Sequence, residues 1–177
     1  KGFITRVRAL KAESGEVRDF TNPEGDFSYR HSFFKDHPEW IITRVFIRLE
    51  KVDPAESAKL AEETIAEREK RHLQNVRAAG SYFMNPKAPA EIVAIFEHQK
   101  QTKSREGRVP AGWLIEKASM KGATVGGAIA SLQHPNYIVN QGNATAENVL
   151  ALAEEVKEAV KSQFGVELHE EAAILFY

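Results

Sequence analysis

The chain has 177 residues, with 24 lysines and arginines against 25 acidic residues for a formal net charge of −1; that balance excludes a role on nucleic acid or a membrane surface resting on bulk charge. It holds no cysteine, which excludes a disulfide framework, a thiolate metal site and a thiol nucleophile. No apolar run approaches the roughly 18 residues of a membrane span, no secretory signal is visible, and the expected setting is a reducing cytoplasm.

Lys1 opens the chain without a methionine, and strand-like sequence follows at once, so a piece of something longer is expected. Residues 3–12 and 16–20 predict a hairpin about Ser14-Gly15. Asn22–Gly25 reads as a loop. Phe27–Lys35 is dense in aromatics and polar donors and reads as a crossing from surface to core, with Arg30 paired to a carboxylate. Residues 40–49 predict a strand with Ile42, Val45 and Ile47 facing inward and Arg44 and Arg48 reaching water. Asp53-Pro54 opens a charged helix to about Arg71, with Asp as N-cap and Pro first. Ala58, Ala61 and Ile65 give it a narrow apolar stripe.

Ala79-Gly80-Ser81-Tyr82-Phe83-Met84-Asn85-Pro86 carries the densest chemistry. Gly80 permits a positive φ or a close ligand. Ser81 offers a hydroxyl and Asn85 an amide, and Pro86 ends any regular element. By itself the octapeptide reads as a turn with a satisfied serine. Residues 90–99 predict a short amphipathic helix. Residues 100–108 form a polar, basic, mobile loop; Lys103, Arg105 and Arg108 are better explained as hydrated than as phosphate-binding. Residues 109–122 predict a turn and a helix through Trp113–Ala118, stopped by Gly122. Thr124–Ser131 reads as a buried strand whose Gly126-Gly127 marks a bulge or a ligand pressed on the backbone.

His134-Pro135-Asn136 is a turn and residues 137–140 a short strand. No metal site is expected, because no partner stands at ligand spacing to a histidine. Thr145 caps a helix whose Val149, Leu152, Val156, Val160 and Phe164 share one face, and Gly165 stops it. Val166–Tyr177 alternates as a strand carrying Glu167, Glu170 and Glu171. Residues 90–177 therefore predict a small α+β layer, a sheet with helices on one face.

Six motifs fall in a telling order. They are Tyr29-Arg30-x-Ser32-x-Phe34-Lys35, Ala79-Gly80-Ser81-x-Phe83-x-Asn85-Pro86 and Ala111-Gly112-Trp113-Leu114-Ile115-Glu116. Then come Lys121-Gly122-x-x-x-Gly126-Gly127-Ala128, His134-Pro135-Asn136-x-x-Val139-Asn140 and Phe164-Gly165-Val166-x-Leu168-x-x-Glu171. Over nearly its whole length the chain resembles the UDP-N-acetylenolpyruvoylglucosamine reductase (MurB) family, flavoenzymes of bacterial peptidoglycan precursor synthesis.

The resemblance implies that residues 1–52 are the C-terminal strands of an FAD-binding domain whose N-terminal part is missing. Residues 53–72 become a linker helix, and 73–177 the α+β substrate-binding domain with an insertion at 87–110, expected to be a tolerated surface loop rather than a lid. The short 50–72 link resembles the branch without a substrate-covering tyrosine loop. Ser119 and Ala172 depart from the usual glycine and β-branched residue.

The implied reaction reduces UDP-N-acetylglucosamine enolpyruvate. NADPH reduces FAD, hydride passes to the β-carbon, and charge develops on the α-carbon and carboxylate. By motif position Arg30 and Glu171 stabilise that charge, Glu171 being protonated through a raised pKa, and Ser81 protonates the α-carbon. Tyr29, Arg71, Asn85 and His134 contact substrate. Gly80, Gly126 and Gly127 let backbone approach cofactor or substrate. The chain alone is expected to hold FAD poorly and to be inactive. The alternative is a stand-alone module that binds a sugar nucleotide or a protein without flavin.

Overall fold

The computed structural model describes residues 2–71, 76–172 and 174, apart from the side chains of Arg68, Lys70 and Arg71. The chain divides into two compact units, Lys1–Ala61 and Glu62–Tyr177. Among the described residues no helix is long and apolar enough to cross a membrane.

In the first unit, β1 (Ile4–Lys11) and β2 (Val17–Thr21) form the expected antiparallel hairpin, turning at Gly15 with φ +72°. β3 (Trp40–Ile47) pairs on the other side of β1, giving the order β2-β1-β3. Between them lies one turn of helix, α1 (Phe33–Asp36). The core is small and aromatic. Val7, Ala9, Phe20 and Phe34 are buried, with Phe27, Phe33 and Trp40 packed on them. Phe20 meets the rings of Phe34 and Trp40 edge-on at 5.2 and 5.0 Å, the arrangement the ring quadrupole favours. Residues 27–35 thus cross from surface to core as their composition predicts.

The inward face of β3 needs correction. Pairing sets Val45 opposite Val7 and Ile42 opposite Ala9, so both lie on the core side. Yet Ile42, Val45 and Ile47 remain 46, 43 and 58% exposed. The aromatic cluster covers β1, β2 and Trp40 at the start of β3, and stops short of the rest of this edge strand. Alternation fixes which way a side chain points, not whether anything covers it. On the opposite face Arg8 grips Asp19 through two hydrogen bonds of 2.7 and 3.0 Å, and Arg6 reaches the same carboxylate at 3.0 Å.

α2 (Pro54–Arg71) begins as expected: Asp53 Oδ1 accepts from Ala55 N at 2.9 Å and Glu56 N at 3.1 Å. Its described side chains are all exposed, the Ala58–Ala61–Ile65 stripe included, and the division between the units falls within it. Asp53→Ala should lower helix stability by about 1 kcal/mol, read as an earlier loss of far-UV circular dichroism on heating.

The second unit contains α3 (Ala90–Lys100), α4 (Ala111–Lys117), β4 (Thr124–Val125), β5 (Ala128–Ala130), β6 (Ile138–Asn140) and α5 (Ala146–Phe164). The strands form an antiparallel sheet in the order β4-β5-β6, and α5 packs on β4 and β5; the unit is α+β. Leu152, Val156 and Val160 of α5 meet Leu114 and Ile115 of α4 in one core. Thr145 Oγ1 accepts from Asn148 N while Asn148 Oδ1 accepts from Thr145 N, so the cap is reciprocal. Gly165, with φ +64°, ends the helix.

Four expectations change here. Gly126-Gly127 is not a bulge within a strand but the two-residue turn of the β4–β5 hairpin. A Cβ on Gly126 would lie 2.4 Å from Asn148 Oδ1, and one on Gly127 2.5 Å from Ala144 N, so the glycines let the turn press against the start of α5. The helix after Val109 ends before Gly122, with Ser119 taking φ +61°. Residues 166–172 form no regular strand; Phe83 and Glu170 make a single antiparallel bridge, and residues 173 and 175–177 lie outside the described residues. Residues 87–110, expected as a tolerated surface loop, contain α3 and join the core through Phe96 and Val109. Val109 is fully buried, and Phe96 of α3 meets Trp113 edge-on at 5.6 Å.

Candidate active site

Residues 82–84 run extended, and their backbone groups are satisfied from two sides. On one edge Glu171 N donates to Tyr82 O at 2.8 Å and Met84 N to His169 O at 2.9 Å. On the other edge stands Asn136, only 4% exposed. Its main-chain oxygen accepts from Tyr82 N at 2.7 Å. Its side-chain Oδ1 accepts from Phe83 N and its Nδ2 donates to Phe83 O, both at 2.9 Å. The amide thus imitates one rung of a neighbouring strand. Tyr82 and Phe83 are both buried, which seats the segment firmly.

Ser81 comes immediately before this segment, and Glu171 is hydrogen-bonded to its first residue. The fold therefore joins the serine and acidic segments side by side, and both residues are half-buried. Gly80 has φ +83°, and a Cβ built there meets nothing within 4 Å, so the backbone faces open space. Asn85 Oδ1 accepts from Ala111 N at 3.0 Å, which anchors the amide at the start of α4. His134 is a turn residue: its N–H donates to Ser131 Oγ at 3.1 Å and its ring lies 4.5 Å from that of Tyr137.

Tyr29 and Arg30 belong to the first unit. Arg30 is exposed, holds a left-handed φ of +56°, and stands with its guanidinium 5.5 Å from the Tyr29 ring. Lys35 Nζ donates to its carbonyl at 2.9 Å. Such a backbone conformation is uncommon for a residue with a side chain and recurs at functional sites. The side chain of Arg71 lies outside the described residues. Among the described residues no group of three or more His, Asp or Glu could hold a metal.

The sequence reading gave Asn136 no role, although it stands in one of the quoted motifs. Only its burial against Phe83 reveals the work of its amide. The pair Lys157–Glu170 was missed as well. Lys157 Nζ lies 2.9 Å from Glu170 Oε1, with the side chains 29 and 25% exposed. Burial pushes the Glu170 carboxyl up, but the Lys157 hydrogen bond, the residue's own backbone N–H and nearby positive charge outweigh it and hold the pKa below the usual range. Hydrogen bonding to Glu170 raises Lys157. Burial, then the Glu170 charge, raises the Tyr82 phenol.

A depressed carboxyl pKa adds stability above the ordinary carboxylate range, and that stability is lost as pH falls through the lowered value. Glu170→Gln should therefore cost about 1–2 kcal/mol at pH 7, and the difference from wild type should vanish in strong acid; urea titrations at the two pH values check it. A groove of about 420 Å³ beside α5 is lined by Glu154, Lys157, Glu158, Lys161 and residues 167–169. Both its lysines pair with glutamates.

A profile of the UDP-N-acetylenolpyruvoylglucosamine reductase C-terminal domain matches residues 71–175. The chain belongs to the UDP-N-acetylenolpyruvoylglucosamine reductase family. A reductase of that name from Solibacter usitatus is 32% identical over 170 residues, covering 94% of this chain and 54% of the relative. One from Heliobacterium modesticaldum is 36% identical over 163 residues, covering 92% and 46%. The crystal structure of UDP-N-acetylenolpyruvylglucosamine reductase (MurB) from Thermus caldophilus superposes with a TM-score of 0.67 at 28% identity, over 94% of this chain and 51% of that one. The chain spans about half the length of the curated MurB relatives it matches. The matched profile takes in the serine segment, Asn136 and Glu171, and so the whole hydrogen-bonded assembly described above.

Proposed function

We propose that, in a polypeptide of the relatives' full length, this chain serves the NADPH-dependent reduction of UDP-N-acetylglucosamine enolpyruvate to UDP-N-acetylmuramate, a step of peptidoglycan precursor synthesis in the bacterial cytoplasm. The observation that carries the reading is the hydrogen-bonded assembly of the serine and glutamate segments. It brings side by side, from distant parts of the chain, the two segments that carry the Ser81 hydroxyl and the Glu171 carboxyl. The open backbone at Gly80 fits the approach of a flat ring. Gly126 and Gly127 already have their Cβ positions filled by their own domain.

Bound FAD would supply the hydride. The rest falls to the chain. Arg30 and a protonated Glu171 hold the negative charge that develops on the substrate carboxylate, where preorganised groups are worth most. Ser81 donates its hydroxyl proton to the α-carbon. Tyr29, Arg71, Asn85 and His134 orient the sugar nucleotide. The test is the full-length protein, purified and assayed for NADPH oxidation. Flavin colour, and oxidation that requires the enolpyruvyl sugar nucleotide, are expected. A colourless protein, or one indifferent to that substrate, overturns the reading.

A further inference from the structure

We infer that Arg108 is a positioning residue for substrate binding, acting from the 87–110 insertion through Asn85; this rests on the function proposed above. The backbone of residues 82–84 is satisfied by residues 169–171 and Asn136. Beyond Met84 those partners end, and the return leg of the insertion takes over. Arg108 Nη1 donates to Asn85 O at 2.9 Å. Val109 N donates to Pro86 O, and Ala88 N donates to Gly107 O, each at 3.0 Å. Ala111 N then donates to Asn85 Oδ1 at 3.0 Å. Asn85 is thus held at its main-chain oxygen by Arg108 and at its side-chain oxygen by Ala111.

The leg is itself rigidly placed. Glu106 and Gly107 take φ of +57° and +69° to fold it back, Val109 is fully buried, and Phe96 pins α3 to Trp113. Of these contacts, the Arg108 one is charge-assisted, and its side chain is only 25% exposed; such bonds are roughly twice as strong as neutral ones. Pro86 has no N–H and holds the segment only through its carbonyl, which accepts from Val109 N. The insertion is therefore a brace under the serine segment rather than a cover above it.

The test uses the full-length protein with Arg108→Ala, Arg108→Lys, Asn85→Ala and the Arg108→Ala/Asn85→Ala double variant. Arg108→Ala should raise KM for the enolpyruvyl sugar nucleotide about tenfold, with flavin reduction by NADPH and kcat near wild type. Arg108→Lys should recover most of the loss. In the Asn85→Ala background, Arg108→Ala should change KM by less than about twofold, because its effect runs through that side chain. If Arg108→Ala does not fold, Arg108→Gln, which keeps a neutral donor, takes its place. A KM within about twofold of wild type, even with a lowered melting temperature, overturns the inference, as does an equal rise with and without the Asn85 side chain. A wild-type protein that does not turn over this substrate overturns the functional reading and this inference with it. An active wild type with an indifferent Arg108 overturns the inference alone.

Discussion

In the full-length protein, Ser81→Ala should leave flavin reduction by NADPH at the wild-type rate and slow product formation by about 10²–10⁴, the usual worth of a positioned proton donor. A serine hydroxyl is a poor acid in water, but under the proposed mechanism the carbon it would protonate is strongly basic and would be held at contact distance. Alanine removes one oxygen and nothing else of consequence. Ser81 is half-buried, so no large void opens. The hydrogen bonds that seat the neighbouring segment belong to Tyr82, Phe83 and Met84. Stopped-flow measurement of the two half-reactions separates the outcomes. Unimpaired product formation removes Ser81 from the chemistry. Slowing of both halves alike marks a folding defect instead.

Asn136→Ala should destabilise the second unit by about 2–6 kcal/mol. The substitution strips partners from Phe83 N and Phe83 O, and each buried main-chain group left unmatched costs about 1–3 kcal/mol. Phe83 is 1% exposed, so water cannot easily substitute. A loss of this size is a large part of a typical domain's stability of about 5–15 kcal/mol. Asn136→Asp keeps the acceptor but forfeits the donor and buries a charge, so it should fare no better. Urea titration of each variant gives the numbers. A loss below about 0.5 kcal/mol for alanine would mean that Asn136 merely fills space. Because the rung it provides adjoins Ser81, the same variants should also slow turnover.

Much of this protein was legible as a string of residues. The β1–β2 hairpin, the Asp53 cap, the apolar face of α5 and its Thr145 and Gly165 ends follow from local periodicity and end signals, which act over a few neighbours. The ordered motifs likewise marked the family. What the string left out depends on groups distant in sequence meeting in space. Asn136 looks like any turn asparagine until Phe83 lies against it. Lys157 and Glu170 read as two surface charges until α5 meets the C-terminal segment. Gly126-Gly127 reads as lying inside one strand until Val125 pairs with Ala128 and makes it a turn. Ile42 and Val45 point to the core side as alternation requires, yet how far a core extends over an edge strand is settled only by the volume of the packed aromatics. Local chemistry thus determined the elements and their ends; tertiary packing decided which polar groups are buried together, since a buried donor or acceptor must find its partner wherever the chain has brought one.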